Sequence, residues 1–577
     1  MTFTWNKSRQ GLLQQLARRP FGVALRQQQQ ISSLASRCSR RWLSSSYSVP
    51  VLARASPFAS SISFSRHHST SAAPKVKGDN SSSKPELKHI PSFPLVGSTV
   101  PQLSGIPDTI FQPYAFWPEL RRRYGDFYTI GIPGIGKAGD IRGTLHVVTD
   151  PREYVPIIKA GGSYPSGLVE TMWVSQKWMA GRDDIHTKGL FENGPEWKRL
   201  RNFMQTDLLH PDAARGYVPG LVKAAQLASK GAKAAAESTK EDGGALNGYL
   251  ARCSFDMFST VMFGELTEVA DPTTHTDPIN EEFVTNTTLG LSTSINMLFS
   301  PYESFLNNTL GMTTKQCQTC LDAFDVTWVI GQDKIESFMQ RKANGTLSDR
   351  ERNSYLYRAL DRQQEPDSQV TVKEAQEMAS SGLFAAVDTT SSVLGWNLFH
   401  LARCPEIQER LHQELVASIQ KVGGERHELS VEALSRKQVP YLHAVIRETQ
   451  RISPAAVLYI LKRINAEDGV VVNNVLLSKG EQIALDGYSI GMDPDFVEDP
   501  ESFRPERWLP EGVEARKGTP REVIDHPFLK EPFSQGMFLK TALVFCRAIT
   551  QRLLVAFPCI QKKQQPTNPI FFFFPQM

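Results

Sequence analysis

The segment Val372 to Ala402 is a long, apolar-rich helical pattern broken in its middle by Asp388, Thr389 and Thr390. A helix apolar around most of its circumference belongs inside a protein, wrapped by other elements. The chain around it can do the wrapping, because the pattern from Glu196 to about Arg403 is mostly helical, and Pro405 to Gln420 and Tyr441 to Ile452 read as amphipathic helices. A polar break inside such a helix needs a reason. A threonine there can bond back to its own helix while the carboxylate points to solvent, or the pair can serve chemistry.

Strand signals are few. DFYTIGI (Asp126 to Ile132), TLHVVT (Thr144 to Thr149), Gly469 to Val475 and Gln482 to Asp486 are short and rich in β-branched residues, enough for a small sheet. Asp150 and Pro151 supply an N-cap and a first-turn residue for a helix. With 577 residues, 40% of them apolar, and no fixed-period repeat, the expected class is mainly α with a minor β-sheet, in one large domain.

Residues 1–78 hold nine Arg, three Lys and no Asp or Glu, amid Ser, Gln and Ala. That is the composition of an organelle transit peptide, with Leu12, Leu13, Leu16 and Phe21 beside Arg18 and Arg19 able to form a basic amphipathic helix. SFSRHHSTSAAP around Arg66 looks like a mitochondrial processing site, which places the transit peptide at 1–71 and a Ser-, Lys- and Pro-rich linker at 72–93. The whole chain is +4 and residues 1–78 carry +12, which leaves −8 for the remainder. An acidic body gives no ground for nucleic-acid binding. Seven scattered cysteines fit a reducing compartment better than a disulfide scaffold. No apolar run approaches the length of a bilayer span, so any membrane association would be peripheral.

VIRETQR puts Glu448 and Arg451 on one helical face, where they can pair, and FRPERW follows with Arg507 in a segment too Pro-rich for a helix interior. EWKRLR places Trp197 and Arg201 one turn apart. In chain order, these three motifs together with FAAVDTTSS resemble the haem-thiolate monooxygenases of the cytochrome P-450 family, from about His89 to Gly536. The resemblance implies that Glu448, Arg451 and Arg507 form a buried charge network, and that Trp197 and Arg201 reach a haem propionate. It also implies that Asp388 and Thr389 deliver protons during oxygen activation. Ala386 stands where the family often has Gly. HAVIRETQR is similar to the mitochondrial branch, which implies a small acidic iron–sulfur ferredoxin as electron donor, docking on a basic helix face with His443 and Arg447. The implied reaction inserts one oxygen atom into a small apolar, sterol- or lipid-like substrate, at the inner membrane or matrix side of the mitochondrion.

The resemblance breaks at the haem loop. Phe533, Ser534, Gln535 and Gly536 begin the family's Phe-x-x-Gly-x-Arg-x-Cys-x-Gly, but the Arg, Cys and Gly positions then fall on Phe538, Lys540 and Ala542. A protonated lysine cannot replace the axial thiolate. The expected domain is therefore an incomplete one at 94–536, with 537–577 an aberrant tail lacking the family's last helix and strands. No metal ligand is assigned. Cys546 is the nearest thiol, readable as a displaced ligand or as an ordinary buried one. A haem-free, catalytically inactive protein of the same descent is the alternative. GIPGIGKA (Gly131 to Ala138) nearly forms a phosphate-binding loop, but Ala138 replaces the Mg²⁺-holding hydroxyl. Cys317 and Cys320 form a lone Cys-x-x-Cys with no second pair, so they are read as helix-spaced thiols rather than zinc ligands.

Overall fold

The computed structural model describes residues 87–530 apart from 133–134, 136–139, 141, 165–171, 193, 239–243, 272–276, 299, 423–431 and 455–460. The expected transit peptide, most of the linker, Phe533, Gly536, Lys540, Cys546 and the whole 537–577 tail lie outside the described residues, as does most of GIPGIGKA.

The longer elements are β1 (Lys88–His89), α1 (Pro113–Tyr124), β2 (Phe127–Gly131), β3 (Thr144–Val148), α2 (Trp173–Met179), α3 (Pro195–Leu209), α4 (Pro211–Ser238), α5 (Gly244–Met262) and α6 (Pro278–Leu298). They continue with α7 (Lys315–Ala343), α8 (Tyr355–Gln363), α9 (Val372–Arg403), α10 (Pro405–Lys421), α11 (Pro440–Ile452), β4 (Leu461–Arg463), β5 (Val470–Val472), β6 (Val475–Leu477), β7 (Gln482–Leu485) and α12 (Gly487–Gly491). The helix through the polar break is the one around which the others pack. α9 is touched by α5, α7, α8 and α11, and Leu383, Val387 and Leu394 on it share one core with Phe255, Val261, Ile330 and Leu356. Burying each such side chain contributes about 1.5–3 kcal/mol.

Local sequence explains where α9 begins. Thr371 accepts from the Glu374 backbone N–H at 3.2 Å, and the Glu374 carboxylate returns a bond to the Thr371 N–H at 2.7 Å. This capping box satisfies two donors that a helix start leaves open. Pro405 and Pro440 stand in the first turns of α10 and α11, where the missing N–H costs nothing. Where α7 crosses α9, a Cβ on Gly331 would force the Ser380 hydroxyl aside, so glycine eases the close approach.

The sheet is mixed, in the order β1-β2-β3-β7-β4. β2 and β3 run antiparallel with Thr129 opposite His146, and β3 and β7 run parallel with Val147 opposite Ala484. β5 and β6 form a separate antiparallel ribbon. The predicted strands are present within a residue or two, except that Gly469 to Val475 is interrupted by Asn473 and Asn474, both at positive φ, which turn the chain into β6. The linker reading is corrected at its C-terminal end. Lys88 and His89 pair with Tyr128 and Thr129, and Ile90 is 2% exposed, so apolar Leu87 and Ile90 outweigh the polar composition around them.

Candidate active site

Most of α9 is buried, yet Ala385 and Thr389, one turn apart, are exposed, and Ser381, Ser392 and Trp396 on the same stripe are half-buried. The core helix thus presents one open face in its middle. Thr389 donates its hydroxyl to the Ala385 carbonyl at 3.0 Å, which leaves the oxygen lone pairs directed outward as acceptors. Asp388, one position round the helix, is 8% exposed, and among the described residues no side chain or backbone group bonds its carboxylate. Burial pushes its pKa up to about 6. Of the reading in which the break serves only the helix, the threonine does bond back to its own turn, but the carboxylate is inside rather than in solvent.

Trp197 and Arg201 stand on α3, with the Arg201 guanidinium 5.0 Å from the Trp197 ring centroid. Burial lowers the Arg201 pKa to about 10, so the cation remains charged at neutral pH in a poorly solvated position. Such a cation gains most from an anionic partner. α3 is tied to the core helix by Arg199, whose guanidinium reaches the Glu374 carboxylate at 2.5 and 3.2 Å.

Glu448 on α11 is fully buried and accepts five bonds. Arg451 donates from Nη2 at 2.8 Å and Nε at 3.0 Å, Arg507 from Nε at 3.2 Å, the Trp508 indole at 2.8 Å and the Arg504 backbone N–H at 3.0 Å. Arg451 also donates to the carbonyls of Gly491 (2.8 Å) and Pro500 (2.7 Å), and Arg507 to that of Asp499 (2.7 Å). One carboxylate therefore fastens α11 to the 491–508 segment, and removing it would strand two buried cations, a cost of about 3–5 kcal/mol. Trp508 and Arg504 were not singled out from sequence. The available signal was the tryptophan directly after Pro505-Glu506-Arg507, since a buried indole N–H seeks an acceptor.

The expected basic docking face is corrected. His443 is 8% exposed, and the Arg447 side chain, 13% exposed, lies 3.6 Å over the Trp508 ring and 3.4 Å from Asp525. α11 turns Arg447 toward the 505–525 segment and buries His443, which helical spacing alone does not reveal. Among the described residues there is no cluster of His, Cys, Asp and Glu able to hold a metal.

The cytochrome P-450 family model matches residues 91–537. The chain belongs to the cytochrome P-450 family. This P-450 is 27% identical over 411 residues to the mitochondrial cholesterol side-chain cleavage enzyme of Mus musculus, covering 69% of this chain and 72% of that protein. It is 27% identical over 389 residues to the mitochondrial sterol 26-hydroxylase of Mus musculus (66% and 67% covered), and 37% identical over 169 residues to that of Homo sapiens (29% of each chain). As a P-450 it is an oxidoreductase of the monooxygenase class, and the family implies haem.

The described residues fit that cofactor on one side only. The open face at Ala385 and Thr389 leaves room beside a buried acid, and Arg201 offers a cation to a carboxylate. The axial donor is another matter. Cys253, Cys317 and Cys320 are fully buried, and burial raises all three thiols, Cys253 and Cys320 to about 12; Cys404, half-buried at the end of α9, is raised too. Burial therefore favours the neutral thiol at all four, and the motif count assigns none of them to the axial position. Cys317 and Cys320 pack within α7, where the Cys320 thiol donates to the Gly290 carbonyl, as helix-spaced thiols should.

Proposed function

We propose that this P-450 belongs to a mitochondrial monooxygenase line that oxidises a sterol-like apolar substrate with electrons from a ferredoxin. The observation that carries this reading is the buried Asp388 beside the exposed Thr389, on the one open face of the core helix. The overall reaction places one atom of O₂ in a substrate C–H bond and the other in water, consuming two electrons and two protons. Bound haem supplies the oxygen chemistry. This chain's residues supply the protons and exclude bulk water: a carboxyl with a pKa near 6 can take and give a proton close to neutral pH, and the Thr389 oxygen can accept a hydrogen bond at the open face. Trp197 and Arg201 would hold the cofactor's carboxylates. Glu448, Arg451 and Arg507, with Trp508, would keep the opposite wall rigid. The sterol class is supported by the relatives, a cholesterol side-chain cleavage enzyme and a sterol 26-hydroxylase.

A second reading is favoured by one observation, Lys540 at the counted ligand position. In it, the chain as written retains no haem-thiolate centre, the family body ends near residue 537 and the protein is catalytically silent. Expression of this full chain, followed by haem quantitation and the carbon monoxide difference spectrum of the reduced protein, separates the two. A one-to-one haem content with a thiolate-type band, and a hydroxylated sterol when ferredoxin, its reductase and NADPH are added, is the result expected for an enzyme. Haem-free protein with no turnover leaves the silent reading. In that case the monooxygenase assignment passes to a chain carrying Arg, Cys and Gly at positions 538, 540 and 542.

A further inference from the structure

We propose that Glu377 is a positioning residue, acting through the turn at His186 and Thr187 to set the place of Trp197 and Arg201 against the core helix. The proposal rests on the reading that this pair holds the cofactor's carboxylates.

Glu377 projects from α9 one turn after Glu374 and is 2% exposed. All the donors it is seen to use come from two consecutive residues of one turn. Oε2 accepts from the His186 N–H at 2.8 Å, the Thr187 N–H at 3.0 Å and the Thr187 hydroxyl at 3.2 Å, while Oε1 lies 2.6 Å from His186 Nδ1. Four bonds to one buried carboxylate fix both the place and the orientation of that turn. Thr187 is fully buried and its carbonyl accepts from the Leu190 N–H at 3.0 Å, so the turn runs straight into the 3-10 turn Lys188–Phe191.

That 3-10 turn is in direct contact with α3. A Cβ placed on Gly189 would lie 3.0 Å from Glu196 Cβ and 3.1 Å from Leu200 Cδ1, which are the residues just before Trp197 and Arg201. The mechanical path is short: Glu377, the 186–187 turn, Gly189, then the turn of α3 that carries the pair. The other side of α3 is held by Arg199 on Glu374. Two carboxylates one turn apart on the core helix thus grip the same helix from two directions. The residues just before the turn, 182–184, have anchors of their own on α7, because Asp184 accepts from the Trp328 indole at 3.1 Å and pairs with Arg182, which also pairs with Asp325. Loss of Glu377 should therefore loosen only the part that leads into α3.

The test is amide hydrogen exchange on the full chain, comparing Glu377→Ala, Glu377→Gln and Gly189→Ala. Glu377→Ala should speed exchange about tenfold or more over residues 186–201 and leave residues 405–421 unchanged. Glu377→Gln keeps an amide oxygen for the two backbone N–H groups and should recover most of the protection. Gly189→Ala should loosen 195–201 while 186–187 stay protected. Faster exchange confined to 186–191, with α3 unaffected, overturns the proposal. So does an equal increase at 405–421, which would mark a general role in the fold. Haemin titration of Arg201→Ala tests the underlying reading separately: unchanged affinity overturns the role of the pair, while the exchange data still decide whether Glu377 positions it.

Discussion

Asp388 and Glu448 show how differently two buried carboxylates can be housed. Glu448 is surrounded by five donors, whereas Asp388 has only its desolvation, and burial holds its pKa at about 6 against an ordinary 3.8. The sign follows from linkage. The unfolded chain ionises Asp388 at the lower pH, so stability falls as pH rises from about 4 to about 6 and stays reduced above that, by about 3 kcal/mol. Asp388→Asn should therefore be more stable than the parent at pH 7.5 and show no gain at pH 4. Urea unfolding at a series of pH values measures this, and a gain independent of pH, or a loss at pH 7.5, would contradict it. A destabilising carboxyl in the central helix, beside the one exposed hydroxyl there, is consistent with the proton-transfer role proposed for the pair.

At the scale of elements, the sequence of α11 implies a Glu448–Arg451 pair and a basic docking face with His443 and Arg447. The structure contains the pair, but buries the second set. Arg447 is enclosed by Trp508, Ile524 and Asp525, but Arg436 and Lys437, just before the helix, are exposed, and Arg436 acts electrostatically on Arg447. These two are the better candidates for meeting an acidic ferredoxin. Reversing both to Glu should weaken ferredoxin binding about tenfold at low salt and flatten its salt dependence, with the unfolding midpoint unchanged. Equal affinity for parent and variant in a titration at low salt would remove this surface. The difference shows what sequence could carry. Helix periods, the Pro405 start of α10 and the Glu448–Arg451 spacing are local properties, and they are legible in the sequence. Which side of α11 meets the 505–525 segment, how Glu377 catches a turn nearly two hundred residues upstream, and the Trp508 bond to Glu448 depend on tertiary packing that no local pattern encodes.

For the whole molecule, the decisive feature is the separation of charge along the chain. Residues 1–78, which include the expected transit peptide, carry +12 and the rest −8, so this end of the chain is the part a negative-inside membrane would draw in. Each elementary charge gains about 2.3 kcal/mol per 100 mV, which makes a run of twelve cations without one acid strongly responsive to the potential. The body responds in the opposite sense and, if residues 1–71 act as proposed, would follow them unfolded; none of its described helices is long and apolar enough to cross a membrane. Radiolabelled full chain added to energised mitochondria should become protected from external protease and be shortened by cleavage at or near residue 71. An uncoupler should abolish both, and replacing Arg18, Arg19 and Arg26 by Gln should slow both. Import without shortening would remove the expected processing site near residue 71. Failure to import at all would remove the mitochondrial assignment, and the ferredoxin partner with it, because a donor confined to that compartment could not reach the protein.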